Sequence, residues 1–218
     1  MPTIKNLECL FSQGKITRRE FIARASALGL TVALSPVLFS GKVLAAEPKK
    51  GGRLRIGTTG MATSDILDPA LQANVGITTF AYGQLYDTLV EIDADSQPAP
   101  SLAKNWEPSP DAKTWTFNLR KGVEFHNGKS MTADDVFFSI NHHRGKDSKS
   151  AAKSIVASIK NIKTDGEYRV IYTLDAGNAD FPYVMSDYHL CIAPKGTKNF
   201  EKGIGTGPYM LDAFIAGV

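Results

Sequence analysis

Hydrophobic and polar residues alternate strictly from Trp115 to Arg120, in the order Trp-Thr-Phe-Asn-Leu-Arg. Successive side chains of a β-strand point to opposite faces, so this period of two predicts a strand with one buried face. Val123 and Phe125 resume the alternation after a Lys-Gly break, and Asn127-Gly128 follows. Asn-Gly is well suited to a tight turn with positive φ at both central positions, so a turn is predicted there.

A helix is predicted directly after this turn. Thr132 is a favoured N-cap residue, and Asp135 stands three positions later, where it completes a capping-box-like pair. Apolar residues then recur at the i, i+3, i+4 and i+7 spacing of one helical face, at Ala133, Val136, Phe137 and Ile140. The pattern therefore predicts a strand, a turn and a helix, with an apolar face on the strand and on the helix.

Further elements are predicted on both sides of this run. Asp165-Gly166 between two β-prone stretches predicts a hairpin. Helices are predicted over Thr78–Leu85 and over Phe181–Asp187, the latter with Pro182 in its first turn. Strands and helices mix without regular β-α-β alternation, which predicts a mixed α/β or α+β fold. The remaining predicted strands are Leu54–Ile56, Leu89–Ile92, Ile159–Lys163, Tyr168–Leu174, His189–Ala193 and Tyr209–Ile215.

The positive charge of the chain is concentrated at its N-terminus. The net charge is +3, but residues 1–45 hold six Lys and Arg against two acidic residues, and the remainder is slightly acidic. This distribution gives no support for nucleic-acid binding. Only Cys191 lies outside the first 45 residues, so no internal disulfide is predicted there, and we expect this cysteine to be a small buried residue.

Residues 1–45 are predicted to be an export signal. Thr17–Ile22 resembles the twin-arginine consensus, with Arg18 and Arg19 as the pair that the Tat translocase recognises. The apolar stretch Ala25–Phe39 that follows is too short to span a membrane. Small residues predict cleavage after Ala45 or Ala46 without a cysteine for lipid attachment. The mature protein, residues 46–218, is therefore expected to be soluble in the periplasm and not lipid-anchored.

The sequence carries no convincing catalytic, nucleotide or metal motif. Gly128-Lys129-Ser130 lacks the earlier glycine of a phosphate-binding loop, and Gly203–Pro208 has proline where a dinucleotide fingerprint needs glycine. His142 and His143 diverge by about 100° on a helix and cannot share a metal, so we interpret them as a solvated helix end. His126 is interpreted as a hydrogen-bonded structural residue. No catalytic residue, metal ligand or cofactor is predicted.

An ordered set of short motifs is spread along the chain after residue 50. It comprises Gly51–Gly57, Leu67–Ala70, Leu85–Val90, Trp115–Phe117, Gly122–His126, Thr132–Val136 and Gly205–Tyr209. The ordered set resembles the family 5 periplasmic solute-binding proteins, the dipeptide, oligopeptide and opine receptors of bacterial ABC importers. The chain departs from the family's pattern at Ala112, where glycine is usual, at Asn127, and at Ser130-Met131.

The resemblance implies part of a two-lobe periplasmic-binding-protein fold. Residues 46–218 would form the N-terminal part of the solute-binding domain, namely part of lobe I with its appended subdomain. The second lobe and the segment that completes lobe I would be missing, so we expect this chain by itself to bind peptide poorly. The intact protein would be a monomer that captures a peptide or related amino-containing solute and delivers it to an ABC permease, without covalent chemistry.

Two alternatives remain open at this point. A Tat-exported periplasmic enzyme or cofactor-bearing domain would share the leader, although it should also carry a cluster of acids, bases or metal ligands. A sensory binding protein coupled to a receptor would share the whole pattern.

The resemblance also indicates where a ligand would be held. It places the loop after the first predicted strand at the cleft between the lobes, with the start of the following helix nearby. Small and hydroxylated residues in such a loop leave backbone donors and acceptors exposed. The candidate ligand contacts are Thr59, Gly60, Met61 and Thr78.

Overall fold

The computed structural model describes residues 4–27 and 51–217 and divides into two compact units, Met1–Arg55 and Ile56–Val218. The predicted apolar stretch beyond residue 27 and both predicted cleavage positions, Ala45 and Ala46, lie outside the described residues. The predicted boundary between residues 45 and 46 therefore stays a prediction.

The first unit contains a helical hairpin that the sequence patterns do not predict. Its helices are α1, Ile4–Ser12, and α2, Arg18–Ala27. Its small core consists of buried Leu7, Ile16 and Phe21, with Leu10, Phe11 and Ile22 partly buried around them. Neither these helices nor any other in the described chain is long and apolar enough to cross a membrane.

The second unit mixes helices and strands, as predicted. In chain order its described elements are α3 (Val75–Ala81), β1 (Val90–Ile92), β2 (Pro98–Pro100), β3 (Ala103–Pro108), β4 (Thr114–Leu119), α4 (Ala133–His142), β5 (Ile159–Thr164), β6 (Arg169–Leu174) and α5 (Phe181–Val184). A short 3₁₀ turn follows at Phe200–Lys202. Strands β1 and β2 form a two-stranded antiparallel sheet.

The main sheet has the strand order β3-β4-β6-β5, with every neighbouring pair antiparallel. The predicted alternation of β4 is confirmed, because Trp115, Phe117 and Leu119 are buried while the residues between them are half-exposed. The register places Trp115 opposite Tyr172 of β6 and Phe117 opposite Val170. These buried side chains form one face of the larger hydrophobic core.

Helix α4 contributes its apolar face to the same core. Val136 and Ile140 are fully buried there, whereas Phe137 is 42% exposed, so the predicted apolar face is too wide by one residue. The predicted capping box is confirmed. The Thr132 backbone N–H donates to Asp135 Oδ2 at 2.8 Å, and the Thr132 hydroxyl donates to the same oxygen at 3.0 Å.

The predicted turn at Asn127-Gly128 exists but has a different form. Gly128 N–H donates to the Phe125 carbonyl at 2.8 Å, and Phe125 N–H donates to the Lys129 carbonyl at 2.9 Å. Of the two predicted positions, only Gly128 has positive φ, at +78°. This is a three-residue hairpin loop that ends in a left-handed glycine, rather than a two-residue turn.

Three predicted strands are absent from the described structure. Leu54–Ile56 and Tyr209–Ile215 join no sheet, and Leu54 and Ile56 are 80% and 78% exposed. His189–Ala193 is buried as predicted, but its amides bond irregular partners; Ala193 N–H, for example, donates to Ser139 Oγ at 2.9 Å. An apolar run becomes a strand only where a neighbouring strand accepts its ladder, and these runs have none in the described residues.

The predicted helix boundaries need correction near the candidate loop. Helix α3 begins at Val75 and ends at Ala81, not at Thr78 and Leu85, and its Phe80 is 49% exposed. Helix α5 ends at Val184, earlier than predicted, with proline in its first turn as expected. A second, smaller core supports α3 and consists of Leu67, Ile77, Ala81, Leu85, Tyr86, Cys191, Ala193 and Phe200.

Candidate functional site

The loop with the candidate ligand contacts is fixed by a buried carboxylate. Asp65 Oδ2 accepts the N–H of Ala62 at 2.8 Å, and Asp65 Oδ1 accepts the side-chain amide of Asn74. Asn74 is the N-cap of α3. A single aspartate therefore ties residues 58–65 to the start of the helix that carries Thr78.

The structure brings Gly60 and Met61 directly against this helix. A Cβ atom at Gly76, in the first turn of α3, would lie 2.7 Å from Met61 Sδ and 3.0 Å from the Gly60 carbonyl oxygen. Gly76 is thus required for the loop to approach so closely. Gly60 has φ +80° and is exposed as a residue, although its carbonyl group lies against Gly76. No local pattern in the sequence marks Gly76 as a contact of this loop.

The other two candidate contacts have different surroundings. Thr59 is exposed beside Gly60. The Thr78 hydroxyl points back along its own helix and contacts the carbonyls of Val75 at 3.0 Å and Asn74 at 3.2 Å. Its hydrogen is used within the helix, but its oxygen lone pairs remain able to accept a hydrogen bond from a ligand.

A second tightly built region surrounds His126, as its interpretation as a structural residue predicts. The ring Nε2 lies 2.8 Å from the Gly207 carbonyl oxygen, and Nδ1 lies 3.2 Å from the Gly203 carbonyl oxygen and 3.3 Å from the Gly205 nitrogen. The backbone N–H of His126 donates to the Gly205 carbonyl, and Gly207 N–H donates to the carbonyl of Leu85. This histidine therefore anchors the loop Gly203–Gly207 against the second core.

The interpretation of the paired histidines as a solvated helix end is wrong for His143. This ring is only 1% exposed, and its Nδ1 lies 2.8 Å from the hydroxyl oxygen of Ser150. Burial, followed by the proximity of His142, lowers the pKa of His143 to about 4, although Asp68 opposes the shift. His142 is partly exposed and pairs with Asp68, with its Nε2 at 2.9 and 3.0 Å from the two carboxylate oxygens.

The polar groups near His143 have structural partners. Ser150 Oγ accepts the N–H of Ala152 at 3.0 Å, so the hydroxyl that contacts His143 also closes a local turn. His189 Nδ1 lies 2.7 Å from Asp187 Oδ1. Across the described ranges 4–27 and 51–217, no three His, Cys, Asp or Glu side chains are placed to hold one metal ion.

The carboxylate of Asp135 and the thiol of Cys191 also have structural roles. Burial by itself would raise the pKa of Asp135, but hydrogen bonds from Lys129, from the Lys195 N–H and from Thr132 outweigh it and lower that pKa. This agrees with the interpretation of Asp135 as a capping residue. Cys191 is buried, as predicted, and burial raises the pKa of its thiol.

The second unit also has an open groove of about 370 Å³ at one end of the main sheet. None of the four candidate ligand contacts lines it. Its basic lining residues are Lys104, Lys121 and Arg169, and Arg169 is already paired with Asp165 at 2.8 Å.

Comparison with known proteins decides the family. The family described as bacterial extracellular solute-binding proteins, family 5 Middle, matches residues 97–218, more than half of the chain. The chain belongs to the family 5 solute-binding proteins. This family 5 chain is 27% identical over 190 residues to the oligopeptide-binding protein AppA of Bacillus subtilis, with 82% of the chain and 34% of AppA covered. It is 28% identical over 211 residues to the probable peptide ABC transporter periplasmic-binding protein y4tO of Sinorhizobium fredii, covering 92% of the chain and 37% of that protein.

Solved structures agree with the family 5 assignment. The periplasmic binding protein AgaA of A. tumefaciens R10, in complex with agropinic acid, has a TM-score of 0.63 at 26% identity, covering 68% of this chain and 31% of AgaA. The nickel ABC transporter structure from Bacillus halodurans has a TM-score of 0.62 at 27% identity, covering 73% of this chain and 32% of that one. The chain thus spans roughly a third of the length of these relatives.

Proposed function

We propose that the chain is part of the extracytoplasmic solute-binding subunit of an ABC transporter, one that captures peptides or related small amino-containing solutes. The observation that carries the proposal is the family 5 match, together with relatives named as oligopeptide- and peptide-binding proteins. The complete protein would act as a monomer that closes on its ligand and presents the closed form to a membrane permease.

We place the ligand at the loop that Asp65 holds against α3. Gly60 is an exposed residue there in a left-handed conformation, and the Thr78 oxygen can accept a further hydrogen bond. Backbone groups that pair with an extended peptide bind it with little dependence on its side chains. Thr59, Gly60, Met61 and Thr78 are therefore the proposed ligand contacts.

The test is a calorimetric titration of di- to pentapeptides into the protein expressed from its own complete reading frame. We expect micromolar or tighter binding, and a loss of about tenfold in affinity for Gly60→Ala, because alanine is strained at φ +80°. Gly57→Ala is the matched control, because a Cβ there meets no atom within 4 Å. The melting temperature of each variant shows whether it remains folded.

The titration tests the location of the ligand separately from the class of substrate. Peptide binding that is unchanged in Gly60→Ala and in Thr78→Val would place the ligand elsewhere. Binding of Ni²⁺ but of no peptide would make a metal ion, instead of a peptide, the proposed substrate. Ni²⁺ is a relevant ligand because the nickel-binding periplasmic protein of Escherichia coli is 32% identical to this chain over 142 residues.

We also propose that the protein is exported by the Tat translocase and is soluble in the periplasm, without a lipid anchor. The twin-arginine motif with Arg18 and Arg19 supports this route. Replacing both arginines with lysine is expected to leave the protein in the cytoplasm, measured by cell fractionation and immunoblotting. Arg24→Lys, in the same helix but outside the motif, should be exported normally. Unchanged export of the double variant would exclude the route.

A further inference from the structure

We call the N-terminal hairpin, residues 4–27, the leader hairpin. The turn between its two helices forms a regular C-terminus for α1. Gly14 has φ +67°, its N–H donates to the Phe11 carbonyl at 2.9 Å, and Lys15 N–H donates to the Leu10 carbonyl at 2.9 Å. This pair of bonds is the Schellman motif, which ends a helix at a left-handed glycine. The turn therefore has a defined structure that returns the chain toward α1.

The twin-arginine motif itself builds the start of α2. Thr17 is the N-cap, and its N–H and hydroxyl donate to Glu20 Oε2 at 2.8 and 3.0 Å, while Glu20 N–H donates back to the Thr17 hydroxyl at 3.3 Å. The residue before this cap, Ile16, and the residue at position N4, Phe21, are both buried in the hairpin core. Apolar residues at these two positions form a hydrophobic staple, which accompanies the capping box here.

Phe21 is consequently hidden. It is 4% exposed, and its ring centroid lies 5.3 Å from that of Phe11 of α1. Phe21 is also one of the residues by which Thr17–Ile22 resembles the twin-arginine consensus. A receptor cannot contact this side chain while α1 covers it.

The closed hairpin is poorly stabilised in two respects. Its helices have only nine and ten residues, a length at which isolated helices are marginal in water. Arg18 and Arg19 stand at helix positions N1 and N2, where the positive end of the helix dipole disfavours cations. The same sequence thus favours the hairpin through its caps and weakens it through its arginine pair.

We propose that the leader hairpin is an autoinhibitory switch. Its closed form keeps Phe21 buried, and it must open before the export receptor binds the twin-arginine motif. The inference rests on the proposed Tat export. Only the open form can bind the receptor through Phe21. The apparent affinity of the receptor for the leader therefore equals its intrinsic affinity multiplied by the open fraction. The closed form would delay export, and opening would release it.

The test changes the turn and leaves the Thr17–Ile22 motif intact. Gly14→Ala forces alanine into a left-handed conformation, although its Cβ meets no atom within 4 Å, and should raise the open fraction about fivefold. We expect the export rate, measured by pulse-chase, to rise by up to about fivefold as well. Gly14→Asn is the matched control, since asparagine tolerates this conformation, and Asn6→Ala, which favours α1, should slow export about twofold.

Hydrogen exchange of the purified precursor is measured in parallel. Amides of residues 4–27 should be protected in the parent protein, less so in Gly14→Ala and more so in Asn6→Ala. An unprotected parent segment would overturn the proposal, as would an export rate that is unchanged or reduced in Gly14→Ala. Failure of the export route itself is detected separately, by normal export of the variant with lysine at positions 18 and 19.

Discussion

Gly205→Ala is expected to lower the free energy of unfolding by about 3 kcal/mol or more, the upper range for overpacked sites. A Cβ at this position would lie 2.0 Å from the Leu85 carbonyl oxygen and 2.6 Å from Tyr86 Cδ1. That carbonyl already accepts the N–H of Gly207, and Tyr86 is fully buried, so neither neighbour can move away freely. Urea unfolding of the parent and variant chains measures the difference.

The effect should spread to the loop that His126 anchors. His126 contacts Gly205 through its backbone N–H and through its ring, so a displaced loop breaks both bonds. Gly57→Ala is again the control and should change the unfolding midpoint little. Equal midpoints for the parent and Gly205→Ala would mean that the loop shifts as a unit, and would contradict the close packing described here.

Acidification from pH 7 to pH 4 is expected to lower the free energy of unfolding by about 3 kcal/mol through His143 alone. Burial of the ring, and then His142, lowers the pKa of His143 in the folded protein to about 4. In the unfolded chain this pKa returns to its ordinary value of 6.5. Between these values the unfolded state binds a proton that the folded state excludes. The stabilisation is therefore complete above about pH 6.5 and is lost as the pH falls toward 4.

His143→Gln tests this expectation, because glutamine can still reach Ser150 but does not titrate. The variant should be less stable at pH 7, since it loses a buried ring, yet its stability should change less between pH 6.5 and 4. Urea midpoints over this range provide the measurement. Asp135 contributes less to this range, because its pKa is lowered from 3.8 and most of its stabilisation is lost below pH 4, and it is present in both proteins. A parallel decline in both proteins would assign the acid sensitivity to other groups.

The elements that the sequence predicts well are those specified by short-range signals. The alternation of β4, the capping box of α4 and the hairpin between β5 and β6 are all confirmed. His143 could have been predicted as well. It follows Val136 and Ile140 at helical spacing, on the buried face, but its polarity suggested a solvent-exposed helix end.

Long-range partners explain the errors. Strand β3 has no alternating pattern, and its assignment depends on pairing with β4, where Trp106 stands opposite Phe117. Leu54–Ile56 has the composition of a strand but no partner strand in the described residues. The candidate loop was located through the family resemblance. Its contact with Gly76 depends on a close approach of two segments that no pattern within either segment encodes.

The departure of Ala112 from the family's usual glycine has a visible counterpart. Ala112 adopts φ +50°, in the left-handed region that favours glycine. The turn between β3 and β4 is therefore kept in this chain despite the side chain. Ser109, Asp111 and Thr114 hold it through hydrogen bonds such as that from the Ser109 hydroxyl to Asp111 Oδ1.

The central position of β4 imposes an order on folding during synthesis. The hairpin of β3 and β4 is local, but the next neighbour of β4 arrives much later, since Asn118 and Arg169, which bond across β4 and β6, are 51 residues apart. At 5–20 residues per second, the ribosome needs roughly 3 to 10 s to supply them. Trp115 and Phe117 lack their β6 neighbours Tyr172 and Val170 during that interval. The nascent chain therefore has a defined period in which one edge of β4 is unpaired, and an unpaired strand edge is prone to aggregation.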